Sequence, residues 1–83
     1  MTTVNMEDIT TLVSLQLGIR KVSPRDRLLE DLGAESADVA NLIARVEEKY
    51  QITMKESEIA KISTAEDLFE LVANKIGDSR VEK

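Results

Sequence analysis

Asp31-Leu32-Gly33-Ala34-Glu35-Ser36-Ala37-Asp38 is the point at which an irregular stretch of the chain gives way to a helix. Gly33 interrupts the backbone pattern, and an apolar-periodic segment begins directly at Ser36. A serine at such a start is a good N-cap, because its oxygen accepts a hydrogen bond from a free N–H of the first turn. The same position suits a phosphate ester on Ser36, since free N–H groups and the helix dipole both favour negative charge. Ser36 has nothing to activate it as a nucleophile. The chain contains no His and no Cys, and the neighbours Glu35 and Asp38 are acidic. A nucleophilic serine requires an oriented base and an oxyanion site. The chemistry open to Ser36 is therefore capping, or modification by another enzyme.

Outward from Ser36, Val39, Ile43, Val46 and Tyr50 recur at helical spacing, with Leu42 widening the stripe. This predicts a helix over 36–50 with one buried face. Asp38, Asn41, Arg45 and Glu48 make the solvated row, and Ala37, Ala40 and Ala44 lie between the two. On the N-terminal side, Met6, Ile9, Leu12, Val13 and Leu17 predict an amphipathic helix from about Val4, stopped by Gly18. Ser23-Pro24 with Asp26 predicts a short capped helical turn within the connection that follows. Ile19, Val22, Leu28, Leu29 and Leu32 are expected to anchor that connection over the core.

Beyond Tyr50, Ile52 and Met54 are candidates for burial in an irregular segment, and Lys55–Lys61 is expected to form about two helical turns. Ser63 with Glu66 and Thr64 with Asp67 offer two overlapping capping boxes for a last helix. Its inner stripe is Ala65, Leu68, Val72 and Ile76, and Gly77 is expected to end it. The expected fold is all-α, a small bundle of three longer helices and one short one, over residues 1–77. Residues 78–83 are expected to be a frayed tail.

Eighty-three residues make one small domain. With one Phe, one Tyr and no Trp, aliphatic side chains must do the burying. Such a core rarely supplies more than ~3–5 kcal/mol, and there is no disulfide to add to it. Sixteen acidic against eleven basic residues give a net charge of −5, which opposes nucleic-acid binding and suits partners with basic docking surfaces. No secretion signal and no membrane-spanning run are visible, so the expected setting is the cytoplasm, with no membrane partner and a monomeric chain. Glu30, Asp31, Glu35 and Asp38 do not have the alternate spacing of a calcium loop, so no dedicated metal site is expected. No catalytic residue is expected either, because nothing in so short a chain would move a carboxylate pKa into a working range.

The order Leu28-Leu29-Glu30-Asp31-Leu32-Gly33-Ala34-Glu35-Ser36, then Leu42, Val46-Glu47-Glu48-Lys49-Tyr50, then Ile62-Ser63-Thr64-Ala65-Glu66-Asp67, resembles the acyl carrier protein family. The match runs from about Leu28 to Ile76 with almost no gaps. The resemblance implies a non-enzyme whose Ser36 carries 4′-phosphopantetheine taken from coenzyme A, with acyl groups held as thioesters on the arm. It implies delivery to fatty-acid, lipid or polyketide-type enzymes. The implied partners are a phosphopantetheinyl transferase and acyl-activating, acyl-transferring and condensing enzymes. It also implies recognition through the second helix, at Glu35, Ala37, Asp38, Ala40, Asn41, Ala44, Arg45, Glu47 and Glu48. Two signature positions depart: Glu35 stands where Asp is usual, and Ala37 where Leu is usual. An aminoacyl or peptidyl carrier, which shares the arm, and an unmodified helical interaction module are the alternatives.

Overall fold

The computed structural model describes residues 4–80, with side chains described through residue 76. Four helices follow one another: α1 (Met6–Leu17), α2 (Ser36–Tyr50), α3 (Glu56–Ile59) and α4 (Ala65–Arg80). Among the described residues the only extended pairing is a single bridge between Arg27 and Thr64. The all-α bundle of three longer helices and one short one is therefore the observed architecture.

The helical stripes read from the sequence meet in one core. Ile9 and Val13 of α1, Leu42, Ile43 and Val46 of α2, and Leu68 and Val72 of α4 are all buried. α1 packs closely on both α2 and α4. Asp8 acts electrostatically on Tyr50, which puts the first turn of α1 beside the last turn of α2. The opposite end gathers the close of α1, the 18–35 connection and the starts of α2 and α4.

The helix ends follow local chemistry. Asn5 caps α1 through Asp8 N–H at 2.8 Å. Gly18 closes α1 at φ +69°, a left-handed conformation that favours glycine, and its N–H donates to the Ser14 carbonyl. Of the two overlapping boxes before α4, the Thr64–Asp67 pair forms: Asp67 N–H donates to Thr64 Oγ1 at 3.0 Å and Thr64 N–H to Asp67 Oδ2 at 3.1 Å. The Ser63–Glu66 box does not, because Glu66 N–H donates instead to the Pro24 carbonyl at 2.8 Å.

The short capped turn expected at Ser23–Asp26 forms: Asp26 N–H donates to the Ser23 carbonyl at 3.0 Å, and Asp26 Oδ2 accepts from Ser23 N–H at 2.8 Å. Two expectations are corrected. α3 has one turn where two were expected, since Ala60 and Lys61 leave the helix to bring the chain back toward α4. Gly77 does not end α4, which runs on to Arg80. An interior glycine costs a helix only ~1 kcal/mol relative to alanine, too little to break one. The remainder of the expected tail, 81–83, lies outside the described residues.

Candidate functional site

Ser36 is the first residue of α2, and Glu35 is its cap. This corrects the reading of Ser36 as the cap itself. Asp38, at the third helical position, sets the start one residue earlier: its Oδ2 accepts from Glu35 N–H at 3.1 Å, the return half of a capping box that opens at Glu35. The Ser36 side chain is exposed, and no described group is hydrogen-bonded to its hydroxyl. First-turn N–H groups of a helix have no intrahelical acceptor. A phosphate ester on Ser36 would thus sit at the N-terminal end of the helix, beside first-turn N–H groups, with its oxygen already clear of other bonds. The residues present fit such a group.

Beside Ser36 lies a groove of about 700 Å³. One wall is a single face of α2, running from Ser36 through Ala40, Ile43 and Ala44 to Glu47. Twelve residues of helix, eleven steps of rise, make that wall about 16 Å long. The other wall returns from Glu56 through Ile59 and Ile62 to Ser63. It meets the Ser36 end where Leu28 N–H donates to the Ser63 carbonyl at 2.8 Å. The lining is mostly apolar, with Arg27, Glu30, Glu47 and Glu56 as its charged members, a composition suited to an apolar guest.

The loop that forms the near rim is held by its own charges. Arg27 pairs with Glu30 and, at 3.4 Å, with Asp31. Asp31 Oδ2 accepts from Arg27 N–H at 2.9 Å; that bond first, then the guanidinium, holds its carboxyl below the usual carboxylate range. Gly33, at φ +72°, turns the chain from this rim toward α2.

Of the anchors expected in this loop, Leu28 is buried and Ile19, Val22 and Leu32 are partly so, but Leu29 is 55% exposed. Adjacent residues in a tight turn point apart, so Leu28 takes the core and Leu29 is left at the groove mouth. Sequence reasoning missed Leu29, Ile59 and Ile62 as groove residues. The adjacency of Leu28 and Leu29 was the available signal for the first.

The nine recognition residues expected from the resemblance divide into three groups. Glu35, Ala37, Asn41, Arg45 and Glu48 are exposed on α2 or its cap. Ala40 and Ala44 are exposed too, but they line the groove with Ser36, while Ala37 stands outside it. Asp38 and Glu47 are half-buried and engaged: Asp38 with Glu35 N–H, and Glu47 Oε2 with Met54 N–H at 2.8 Å. Glu47 is thus a clasp between α2 and the segment after it.

A short helical bundle that exposes an unactivated serine at a helix start, beside an aliphatic groove, defines a class of protein that bears a group rather than transforms one. Residues 7–72 match the family described as "Phosphopantetheine attachment site". The acyl carrier protein of Helicobacter hepaticus is 38% identical over 72 residues, covering 83% of this chain and 95% of that one. That of Campylobacter jejuni subsp. doylei is 34% identical over 70 residues, covering 82% and 91%. Among solved structures, a Mycobacterium tuberculosis chain described as an acyl carrier protein superposes with a TM-score of 0.79 at 26% identity, covering 83% of this chain and 95% of that one. The oxytetracycline acyl carrier protein shares the fold, with a TM-score of 0.77 at 21% identity and coverage of 95% and 88%.

This chain belongs to the acyl carrier protein family. It is a carrier and not an enzyme, its prosthetic group is 4′-phosphopantetheine, and its partners are a phosphopantetheinyl transferase and acyl-handling enzymes. Among the described residues, no helix is long and apolar enough to cross a membrane.

Proposed function

We propose that Ser36 is the attachment residue and that the arm delivers acyl intermediates to fatty-acid, lipid or polyketide-type enzymes in the cytoplasm. The observation that carries this reading is the free, exposed Ser36 hydroxyl at the first position of α2, at one end of the aliphatic groove. When bound, the arm supplies a thiol that the polypeptide lacks, and an acyl group is held on it as a thioester. The chain's own part is to seat the phosphodiester beside the first-turn N–H groups, to offer the groove to an aliphatic cargo, and to present α2 to each enzyme in turn. A flexible tether raises the local concentration of cargo at the docked enzyme.

Incubation with a phosphopantetheinyl transferase and coenzyme A, read by intact-protein mass, tests the assignment. The wild type gains one arm and Ser36→Ala gains none. A normal gain in Ser36→Ala places the arm elsewhere.

The reading extends to a specialised pathway, with acyl-activating, acyl-transferring and condensing partners of its own. Its support is the exposed row of Ala37, Ala40 and Ala44 next to Ser36. A larger apolar side chain buried at a docked interface contributes ~1.5–3 kcal/mol, or about tenfold or more in affinity. Transfer from a housekeeping malonyl-transferase to the holo form should be poor in the wild type and improved in Ala37→Leu. Full activity in both removes the support for specialisation.

A further inference from the structure

We propose that the ion pair between Glu58 and Lys75 sets the capacity of the groove, and with it the cargo lengths this carrier shelters. The proposal rests on the reading of Ser36 as the arm's seat. α3 is the weakly held wall of the groove. It is one turn long and has no buried residue. Among the described residues the closest helix packing is α1 on α2 and α1 on α4, and α3 is at most weakly packed on another helix. Its backbone bonds are local to its own segment: Ile59 N–H to the Lys55 carbonyl, Ala60 N–H to Glu56, Lys61 N–H to Glu58 and Ile62 N–H to Ile59. The segment can therefore shift as a unit without breaking them.

Two things tie the middle of that unit to the body. Ile59 and Ile62 are partly buried against the core. Glu58 Oε1 accepts from Lys55 N–H at 2.8 Å and from Lys75 Nζ on α4 at 2.9 Å. One carboxylate oxygen thus both caps α3 and fastens it to α4. The two side chains are 30% and 20% exposed, so this pair is less screened by solvent than the rim pairs of Arg27. Glu56, Ile59 and Ala60 of the same segment line the groove. With the pair closed, the wall stands where it leaves about 700 Å³. With the pair open, the half-buried isoleucines and the bonds at the two ends of the segment, Met54 N–H to Glu47 and Leu28 N–H to the Ser63 carbonyl, are what restrain it, and a longer chain can push its middle outward.

The test uses Lys75→Met, Lys75→Arg and Glu58→Gln in the full chain. First, amide hydrogen exchange is measured on the unmodified proteins. Lys75→Met and Glu58→Gln should raise exchange over 55–62 by up to about fivefold, the upper end for losing a partly exposed pair. The long helices should be unchanged, and Lys75→Arg should match the wild type. Second, butyryl, octanoyl and dodecanoyl arms are loaded from their coenzyme A thioesters and confirmed by mass. Thioester cleavage by hydroxylamine is then timed. Wild type and Lys75→Arg should protect the shorter chains best, with protection extending to dodecanoyl in Lys75→Met and Glu58→Gln. Unchanged exchange over 55–62, or an equal rise in every helix, overturns the latch. So does a chain-length profile shared by all folded variants. Should Lys75→Met fail to fold, Glu58→Gln carries the comparison, since its amide oxygen still accepts from Lys55 N–H. If no variant takes up an arm, the Ser36 reading fails, and the exchange result still decides the latch.

Discussion

The two sides of α2 are held by different forces. Toward α1 and α4, Leu42, Val46, Leu68 and Val72 are closed off from solvent, and the contact is side chain against side chain. Toward the groove, the 18–35 connection is held to the start of α4 and the residue before it by backbone bonds, Leu28 N–H to the Ser63 carbonyl and Glu66 N–H to the Pro24 carbonyl, while the backbone bonds of α3 are local. Ion pairs at Arg27 and Lys75 add to them. On this side Val39, Ile59 and Ile62 are only partly buried and Leu29 is exposed. One face thus supplies the stability of a small bundle, and the other leaves aliphatic surface available to a guest.

The contrast predicts unequal costs. Leu68 is fully buried, so Leu68→Ala should lose ~2–5 kcal/mol through lost contact and an unfilled cavity. That is most of what a core of this size provides. Ile59 is only partly buried, so Ile59→Ala should lose about 1 kcal/mol. Urea unfolding of both variants decides the matter. Equal losses would show that α3 belongs to the core and would remove the contrast.

Glu47 sharpens it at the far end of the groove. Glu47→Ala strands the Met54 N–H and should cost about 1–2 kcal/mol. Glu47→Gln keeps an acceptor and should cost less, while the exposed Glu48→Gln should stay within about 0.5 kcal/mol. A charge reversal at Glu47 is therefore a poor probe of partner recognition, because it disturbs the fold first. Glu48 is the better one.

How much of this was legible in the sequence depends on the range of the interaction. The stripe Ile43, Val46, Tyr50 and the stop at Gly18 follow from helical period and backbone conformation, and both stand in the structure. The start of α2 was legible to within one residue, because a cap at Ser36 and a capping box from Glu35 to Asp38 are both open to this sequence and pattern alone does not rank them. The groove was not legible. Its second wall is brought opposite α2 by a bond between residues 28 and 63, which no local pattern encodes. The Glu47 clasp depends on Gln51 at φ +56°, an uncommon conformation for a residue other than glycine, which turns the chain back on α2.

Tyr50 is where the well-packed side carries a cost. It is 4% exposed, and its hydroxyl has no hydrogen-bond partner among the described residues. Burial, and then the nearby Asp8 charge, push its pKa above the usual tyrosine value. Its share of stability is therefore intact below pH ~10 and is lost as pH rises through the raised value, because the unfolded chain ionises first. Tyr50→Phe should gain about 1 kcal/mol at neutral pH by removing a stranded donor. It should also flatten the alkaline fall in melting temperature. An unchanged alkaline slope would show that another group governs it.

The smallest effect on stability belongs to the residue that matters most to function. Ser36 stands at the first helical position, with Glu35 as cap and Asp38 Oδ2 on the Glu35 N–H. Its hydroxyl makes no bond that Ala would lose, and Ala is the better helix former. Ser36→Ala should therefore change unfolding free energy by only a few tenths of a kcal/mol, where loss of a true cap costs about 1. Asp38→Ala should carry the larger cost. If the order is reversed, with Ser36→Ala losing ~1 kcal/mol and Asp38→Ala nothing, the serine is the cap after all. Its hydroxyl would then have to leave a hydrogen bond before any phosphoryl group could be placed on it. A flat response at Ser36 means that the chain holds this hydroxyl out of its own structure and ready for the transferase.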